Sequence, residues 1–219
     1  MNKNPEQIIR HTEDYVKNEL ARAEGGHDWW HVYRVRRLSV KIAETEPVNL
    51  FIVELAALLH DIADAKFHDG DREEGPRRAK AFLTEQHVDH TVIAHVTDII
   101  RNISFKNSFH KTTFKSRELD VVQDADRLDA MGAIGIARTF NYGGFKNRPL
   151  YDPDIPPDTN LTAETYAKST APTINHFYEK LLLLKEKMNT RTGRQMAEER
   201  HRFMQQYLER FFREWEGSI

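Results

Sequence analysis

Cysteine is absent from all 219 residues, which removes disulfides, thiolate metal sites and a Cys nucleophile together. Any metal this chain binds must be held by nitrogen and oxygen. An excess of one charge is also lacking: 32 Lys and Arg face 34 Asp and Glu, a net charge of -2, so no overall field draws in a polyanion such as nucleic acid. No apolar run approaches the length of a membrane span, and "MNKNPEQIIRHTEDYVKNEL" at the N-terminus carries acidic residues where an export signal needs an apolar region. The expectation is a cytoplasmic protein without a membrane partner. No Gly-rich loop ending in Lys and Ser or Thr occurs, which argues against P-loop chemistry. Strict alternation of apolar and polar residues is hardly seen, and so no sheet is expected.

Helical spacing dominates what is present. Ile8, Ile9, Tyr15, Val16 and Leu20 mark a first helix, and Trp30, Val32, Val35, Leu38, Val40 and Ile42 a second. Asp28 is the expected cap of the second, which runs to about Thr45 before Pro47 forces a turn. A third helix, "NLFIVELAALLHDIA" (49–63), is apolar on nearly every side and therefore buried rather than amphipathic. Helical spacing returns in "RRAKAFLTEQ", in "HTVIAHVTDIIRNI" and in "RELDVVQDADRLDAMGAIGIARTFNY", where Gly132 and Gly135 announce a break or a close backbone approach. Residues 104–116 and the Gly- and Pro-rich 143–158 are expected to be irregular. Two long helices, roughly 161–188 and 192–215, complete the chain. The fold class is all-α, as one domain over 1–219.

The chemistry gathers where apolar helices meet titratable groups. "AALLHDIADAKF" (56–67) runs from hydrocarbon straight into His60-Asp61, and an unpartnered imidazole at the end of so buried a helix would be costly. Taken alone, such a pair is most simply a neutral imidazole satisfied by its neighbour. Two further features alter that balance. His31 sits in "HDWWHVYRV" among Val32 and Val35, and "VVQDADRLDAMG" sets Asp124, Asp126 and Asp129 behind the apolar Val121-Val122. Polar groups on three buried helices point to a shared destination. Imidazoles with carboxylates suit a divalent cation such as Mn, Fe, Co, Ni or Zn, whereas Ca prefers oxygen alone. His11, His176 and His201 lie in charged helices, where a solvated ring is the simpler expectation. Asp64 comes three and four positions after Asp61 and His60, on their face if the helix continues; a surface acid is the competing reading.

The order His31, His60-Asp61, Asp126 resembles the H…HD…D pattern of the HD-domain metal-dependent phosphohydrolases, an all-helical superfamily. "HDWWHVYRV", "LLHDIAD", "NISFK" and "QDADRLDAMGAIGIARTF" are similar, more narrowly, to its small stand-alone bacterial subgroup of the YedJ/YpgQ type. The resemblance implies an HD-domain helical bundle with a metal-binding core over about 25–140 and additional C-terminal helices over about 160–216. It implies His31, His60, Asp61 and Asp126 as the metal ligands. Asp126, the Asp before Arg127-Leu128, is chosen over Asp124 and Asp129, which become supporting or surface acids. His31, three residues before Arg34-Val35, is chosen over His27. Asp61 and Asp64 are the implied catalytic acids, Asp64 as general base or as the group that orients water.

The reaction so implied is hydrolysis without a covalent intermediate. A divalent ion, Mn first with Co, Ni, Fe, Zn or Mg as alternatives, lowers the pKa of water toward about 7 and polarises a phosphoryl oxygen. Charge grows on phosphoryl oxygens in the transition state, so cations should ring the pocket. Lys66, Lys106 and Arg127 are the candidates for contact with substrate phosphates, with Lys146 as a further cation. Phe105, Phe109, Phe114, Tyr142 and Phe145 are available for a base to stack upon. The subgroup implies a nucleotide as the small-molecule partner, with nucleoside triphosphates cleaved to monophosphate and pyrophosphate. A nucleoside monophosphate phosphatase or a phosphodiesterase on the same centre, or a non-catalytic nucleotide-sensing module, are the alternatives. A homodimer through the long final helices is admitted.

Overall fold

Nine α-helices and one 3₁₀ segment, with no strand, occur among the residues that the computed structural model describes: 4–21, 28–63, 71, 73–103, 114–158 and 169–219. Their contacts group the chain into two compact units, residues 1–125 and 126–219, and the division falls inside one continuous helix.

In the first unit several helix starts are marked by a capping polar residue before them. Asn4 opens α1 (Pro5–Glu19) with a capping box, in which Gln7 returns a bond to the Asn4 N–H. Asp28 caps α2 (Trp29–Ala43), its side chain accepting from the backbone N–H of His31 at 2.9 Å. Asn49 caps α3 (Leu50–Leu59) by accepting from Phe51 and Ile52. Helices α4 (Glu74–Glu85) and α5 (His90–Asn102, capped by Asp89) complete the set.

Helix α3 lies at the centre, packed against α1, α2 and α5. From Ile52 to Leu59 every side chain is buried except Glu54. Glu54 accepts from Arg36 of α2, at 3.0 Å from Nε and 2.7 Å from Nη2, and Arg36 also reaches Glu13 of α1. The one polar residue of α3's body thus joins three helices. A fully buried side chain such as Leu58 or Leu59 contributes about 1.5–3 kcal/mol, so α3 is a stiff mount for the turn at its C-terminal end.

That turn comes sooner than expected. The predicted helix over 49–63 stops at Leu59, and His60 and Asp61 stand beyond its end. The reason lies in His60 itself, whose Nδ1–H donates to the carbonyl of Ala57 at 2.9 Å. That acceptor would serve the Asp61 N–H if the helix continued. Asp64, expected on the face of His60 and Asp61, lies outside the described residues. Helix α6 (Arg117–Asp129) buries Leu119, Val121 and Val122. Its Glu118 accepts from the Asn49 N–H at 2.9 Å, tying α6 to the start of α3.

In the second unit the expected break is present at Ala130-Met131, between α6 and α7 (Gly132–Phe145). Gly132 has φ +69, a conformation that favours glycine. A Cβ on Gly135 would sit 2.3 Å from the carbonyl oxygen of Ala130. Two predicted boundaries need correction. Helix α7 continues through Gly143 to Phe145, so the irregular segment begins at Lys146. Of the helix predicted over 161–188, the described part is a short α8 (Asn175–Glu179) and a 3₁₀ segment (Leu181–Lys187). Pro172 disfavours helix at the residue before it, and Lys180, at φ -145 and ψ -57, interrupts the helix after α8. Helix α9 (Arg191–Trp215), capped by Thr190, packs on α7 and on the 3₁₀ segment.

Candidate functional site

His31 enters from the first turn of α2 and His60 from the turn after α3. Both rings are withdrawn from water, with residue exposures of 1% and 8%. Their Nε2 atoms lie 3.2 Å apart. Because a carbonyl can only accept, the bond from His60 to Ala57 places a proton on Nδ1 and leaves Nε2 as the ring atom that faces His31. Asp61 brings Oδ2 to 3.5 Å from the His31 Nε2 and 3.8 Å from that of His60.

Helix α6, rooted in the first unit by its N-terminal turns, carries Asp126. One ligand atom each from His31, His60 and Asp126 all lie within 4.8 Å of one another. Two imidazole nitrogens at about 2.0–2.1 Å from one tetrahedral or octahedral cation would be roughly 2.9–3.4 Å apart. The 3.2 Å separation falls in that interval. The donor set of two imidazoles with a carboxylate, and Asp61 beside them, fits a divalent transition ion.

The other candidates separate by environment. Asp124 is fully buried, and Asp129, 1% exposed, accepts from Arg138 Nη1 at 2.9 Å. Neither is a surface acid, which corrects that part of the expectation. Arg127 is buried too, and its Nη1 donates to the carbonyl of Lys187. Lys146 is exposed, with Nζ 5.3 Å from the centre of the Phe145 ring and 5.8 Å from that of Tyr142. Phe114 meets the ring of His95 edge-on. His27, Asp64, Lys66, Phe105, Lys106 and Phe109 lie outside the described residues.

Among the histidines expected to be solvated, His11 bonds to the Gln86 side chain at 3.0 Å on the surface. The other two differ from expectation. Burial pushes the pKa of His176 down to about 3, helped by the charges of Lys180 and Arg148. Burial and then Lys185 also lower that of His201. Neither ring is simply solvated. Sequence reasoning missed Arg138 and Arg200, which bind the end of α6 from α7 and α9. No local spacing advertises either one, because each reaches α6 from another helix.

Among the described residues no helix is long and apolar enough to cross a membrane. The family model of the HD domain matches residues 29–131. The chain is 40% identical over 199 residues to YpgQ of Bacillus subtilis, covering 89% of this chain and 87% of the relative. Among solved structures it is similar to an HD-superfamily hydrolase from Bacillus thuringiensis, with 44% identity, a TM-score of 0.77, and coverage of 97% of this chain and 99% of that one. It is also similar to Bacillus subtilis YpgQ in complex with ADP, with 38% identity, a TM-score of 0.72, and coverage of 94% and 97%.

Proposed function

Because the chain belongs to the HD-domain superfamily, we propose that it is a divalent-metal-dependent phosphohydrolase that cleaves nucleoside triphosphates to monophosphate and pyrophosphate. The observation that carries this reading is the convergence of His31, His60 and Asp126 within 4.8 Å. The ADP complex of the relative YpgQ supports a nucleotide as the ligand.

In this reading His31, His60, Asp61 and Asp126 hold the ion, Mn in the first instance. When bound, it supplies Lewis-acid polarisation of a phosphoryl oxygen and acidifies water toward a pKa of about 7. The chain's own residues prepare that chemistry. The Ala57 carbonyl holds His60 in the tautomer whose Nε2 can donate a lone pair. The apolar body of α3, with Leu58 and Leu59 fully buried, holds the pair rigidly and keeps the local dielectric low. Asp64, as general base, accepts the proton that the attacking water loses, and Asp61 serves as a ligand of the ion and an orienting carboxylate. Water forms its bond to the α-phosphorus, the bond from the α-phosphorus to the bridging oxygen breaks, and pyrophosphate leaves. Lys66 and Lys106 meet the phosphate oxygens, while Arg127 serves the backbone at Lys187.

The test is a panel of nucleoside triphosphates incubated with Mn or Co and the purified chain, with the products separated. Pyrophosphate and monophosphate in equal amounts are expected. Orthophosphate alone would move the cleavage to the terminal phosphate, and undiminished turnover in His60→Ala would remove the site.

A further inference from the structure

The residue that α6 brings to the His pair is succeeded by three consecutive residues, each tied by an arginine. Arg127 donates through Nη1 to the carbonyl of Lys187, at the end of the 3₁₀ segment. The carbonyl of Leu128 accepts from Nη1 of Arg200, on α9. Asp129 accepts from Nη1 of Arg138, on α7, at 2.9 Å through its carboxylate and at 3.4 Å through its carbonyl. These contacts fall on the last turn of a helix, where carbonyls have no intrahelical partner and where positive charge is favourable. They come from three different elements, so the turn is gripped from several directions. Asp129 is 1% exposed, and its charge opposes the burial that lowers the pKa of Arg200.

We propose that Arg138, Asp129 and Arg200 form a positioning clamp that sets the C-terminal turn of α6 and thereby the aim of the Asp126 carboxylate toward the cation site. The clamp touches neither substrate nor ion; it acts through one helical turn. Asp126 and Asp129 stand three apart on α6, on neighbouring positions of one helix surface. A sub-ångström shift of the turn therefore moves the ligand. The inference rests on the reading of Asp126 as a metal ligand. Groups that orient metal ligands from behind commonly change affinity by about 10–100-fold when removed.

The experiment separates positioning from folding. Co(II) is titrated into the full chain while its visible absorption is followed, in the wild type, His60→Ala, Asp129→Asn, Arg200→Lys and the double variant Asp129→Leu with Arg138→Leu. Thermal melting is recorded without metal for each. Replacing a buried ion pair by apolar residues of similar size is often neutral for stability, so the double variant keeps the fold while removing the polar grip. The expected result is tight Co(II) binding in the wild type, its loss in His60→Ala, and about 10–100-fold weaker binding with altered visible bands in Asp129→Asn and the double variant. Arg200→Lys, which retains charge but not the planar fork, should be intermediate. Wild-type affinity and an unchanged spectrum in the folded Asp129 variants, with binding still lost in His60→Ala, would overturn the clamp alone. Failure of the wild type to bind, or equal binding by His60→Ala, would overturn the metal site and the clamp with it. If Asp129→Asn does not fold, the double variant and Arg200→Lys decide by the same criteria.

Discussion

The Nε2 atoms of His31 and His60 face each other at 3.2 Å although 29 positions separate the two residues in sequence. Each is held by a different backbone bond. The N–H of His31 is gripped by the Asp28 cap at 2.9 Å, and the Nδ1–H of His60 is committed to the Ala57 carbonyl at 2.9 Å. The His60 imidazole is therefore oriented, and the backbone that carries His31 anchored, before any ligand arrives, and orientation set in advance favours binding.

The cap gives the first test. Asp28→Ala leaves the His31 N–H without its acceptor and should lower stability by about 0.5–2 kcal/mol, read as a shift of the urea midpoint. Asp28→Ser should recover most of the loss. Because the capped group is the backbone of His31 itself, Mn affinity should fall in the Ala variant and return in the Ser variant. Equal affinity in all three would show that the cap stabilises α2 without orienting the ring.

Helix α3 gives the second. Leu59 is fully buried next to His60, and truncation to Ala should cost about 2–5 kcal/mol, the range for a leucine that leaves a cavity. Leu59→Met conserves volume and should cost less than about 1.5 kcal/mol. Chemical denaturation of both variants checks the pair, and a difference of less than about 0.5 kcal/mol between them would contradict the rigid packing ascribed to this helix.

Gly135 gives the third. Since a Cβ there would lie 2.3 Å from the Ala130 carbonyl oxygen, the obstacle is backbone and cannot swing aside. Gly135→Ala should destabilise by on the order of 1–3 kcal/mol despite the higher helix propensity of alanine. A melting temperature equal to or above that of the wild type would contradict the close approach.

His176 gives a prediction in pH. Its folded pKa, about 3, lies below the ordinary value near 6.5, so between the two the unfolded chain binds the extra proton. Stability from this residue is complete above about pH 6.5 and is lost progressively as pH falls toward about 3. From about pH 7.5 to about pH 5 the loss should be roughly 1–2 kcal/mol, and His176→Gln should flatten that part of the profile. Parallel urea titrations measure it; identical slopes in both proteins would contradict the burial of a neutral ring.

Helix identity was legible because caps and apolar spacing are local signals: Asn4, Asp28, Asn49 and Asp89 stand before their helices, and the body of α3 is apolar throughout apart from Glu54. The end of α3 was not, since it turns on a side chain taking the Ala57 carbonyl from its own backbone. Spacing cannot reveal which acceptor a histidine will choose. The described part of the predicted helix over 161–188 departs from expectation for a related reason. Its leucines have helical spacing, but the chain at Lys180 leaves the helical region and the leucines after it pack in a 3₁₀ segment.

At the site, the candidate residues were legible as polar groups at the edges of apolar helices. Choosing among Asp124, Asp126 and Asp129 was not possible from spacing, because all three are acids on one helix. Tertiary partners separate them: Asp126 joins His31 and His60, while Asp129 is claimed by Arg138. That partner comes from beyond the glycine break, which explains why the pairing could not be seen in advance.

The most direct measurement is equilibrium dialysis of the full chain against Mn(II), with bound metal counted by elemental analysis, for the wild type and for His31→Ala, His60→Ala and Asp126→Ala. Retention of roughly one ion per chain by the wild type, and its near-complete loss in each variant while the helical circular dichroism persists, is the expected result. No retention by the wild type, or equal retention by the three folded variants, would contradict the assignment of His31, His60 and Asp126 as a metal site.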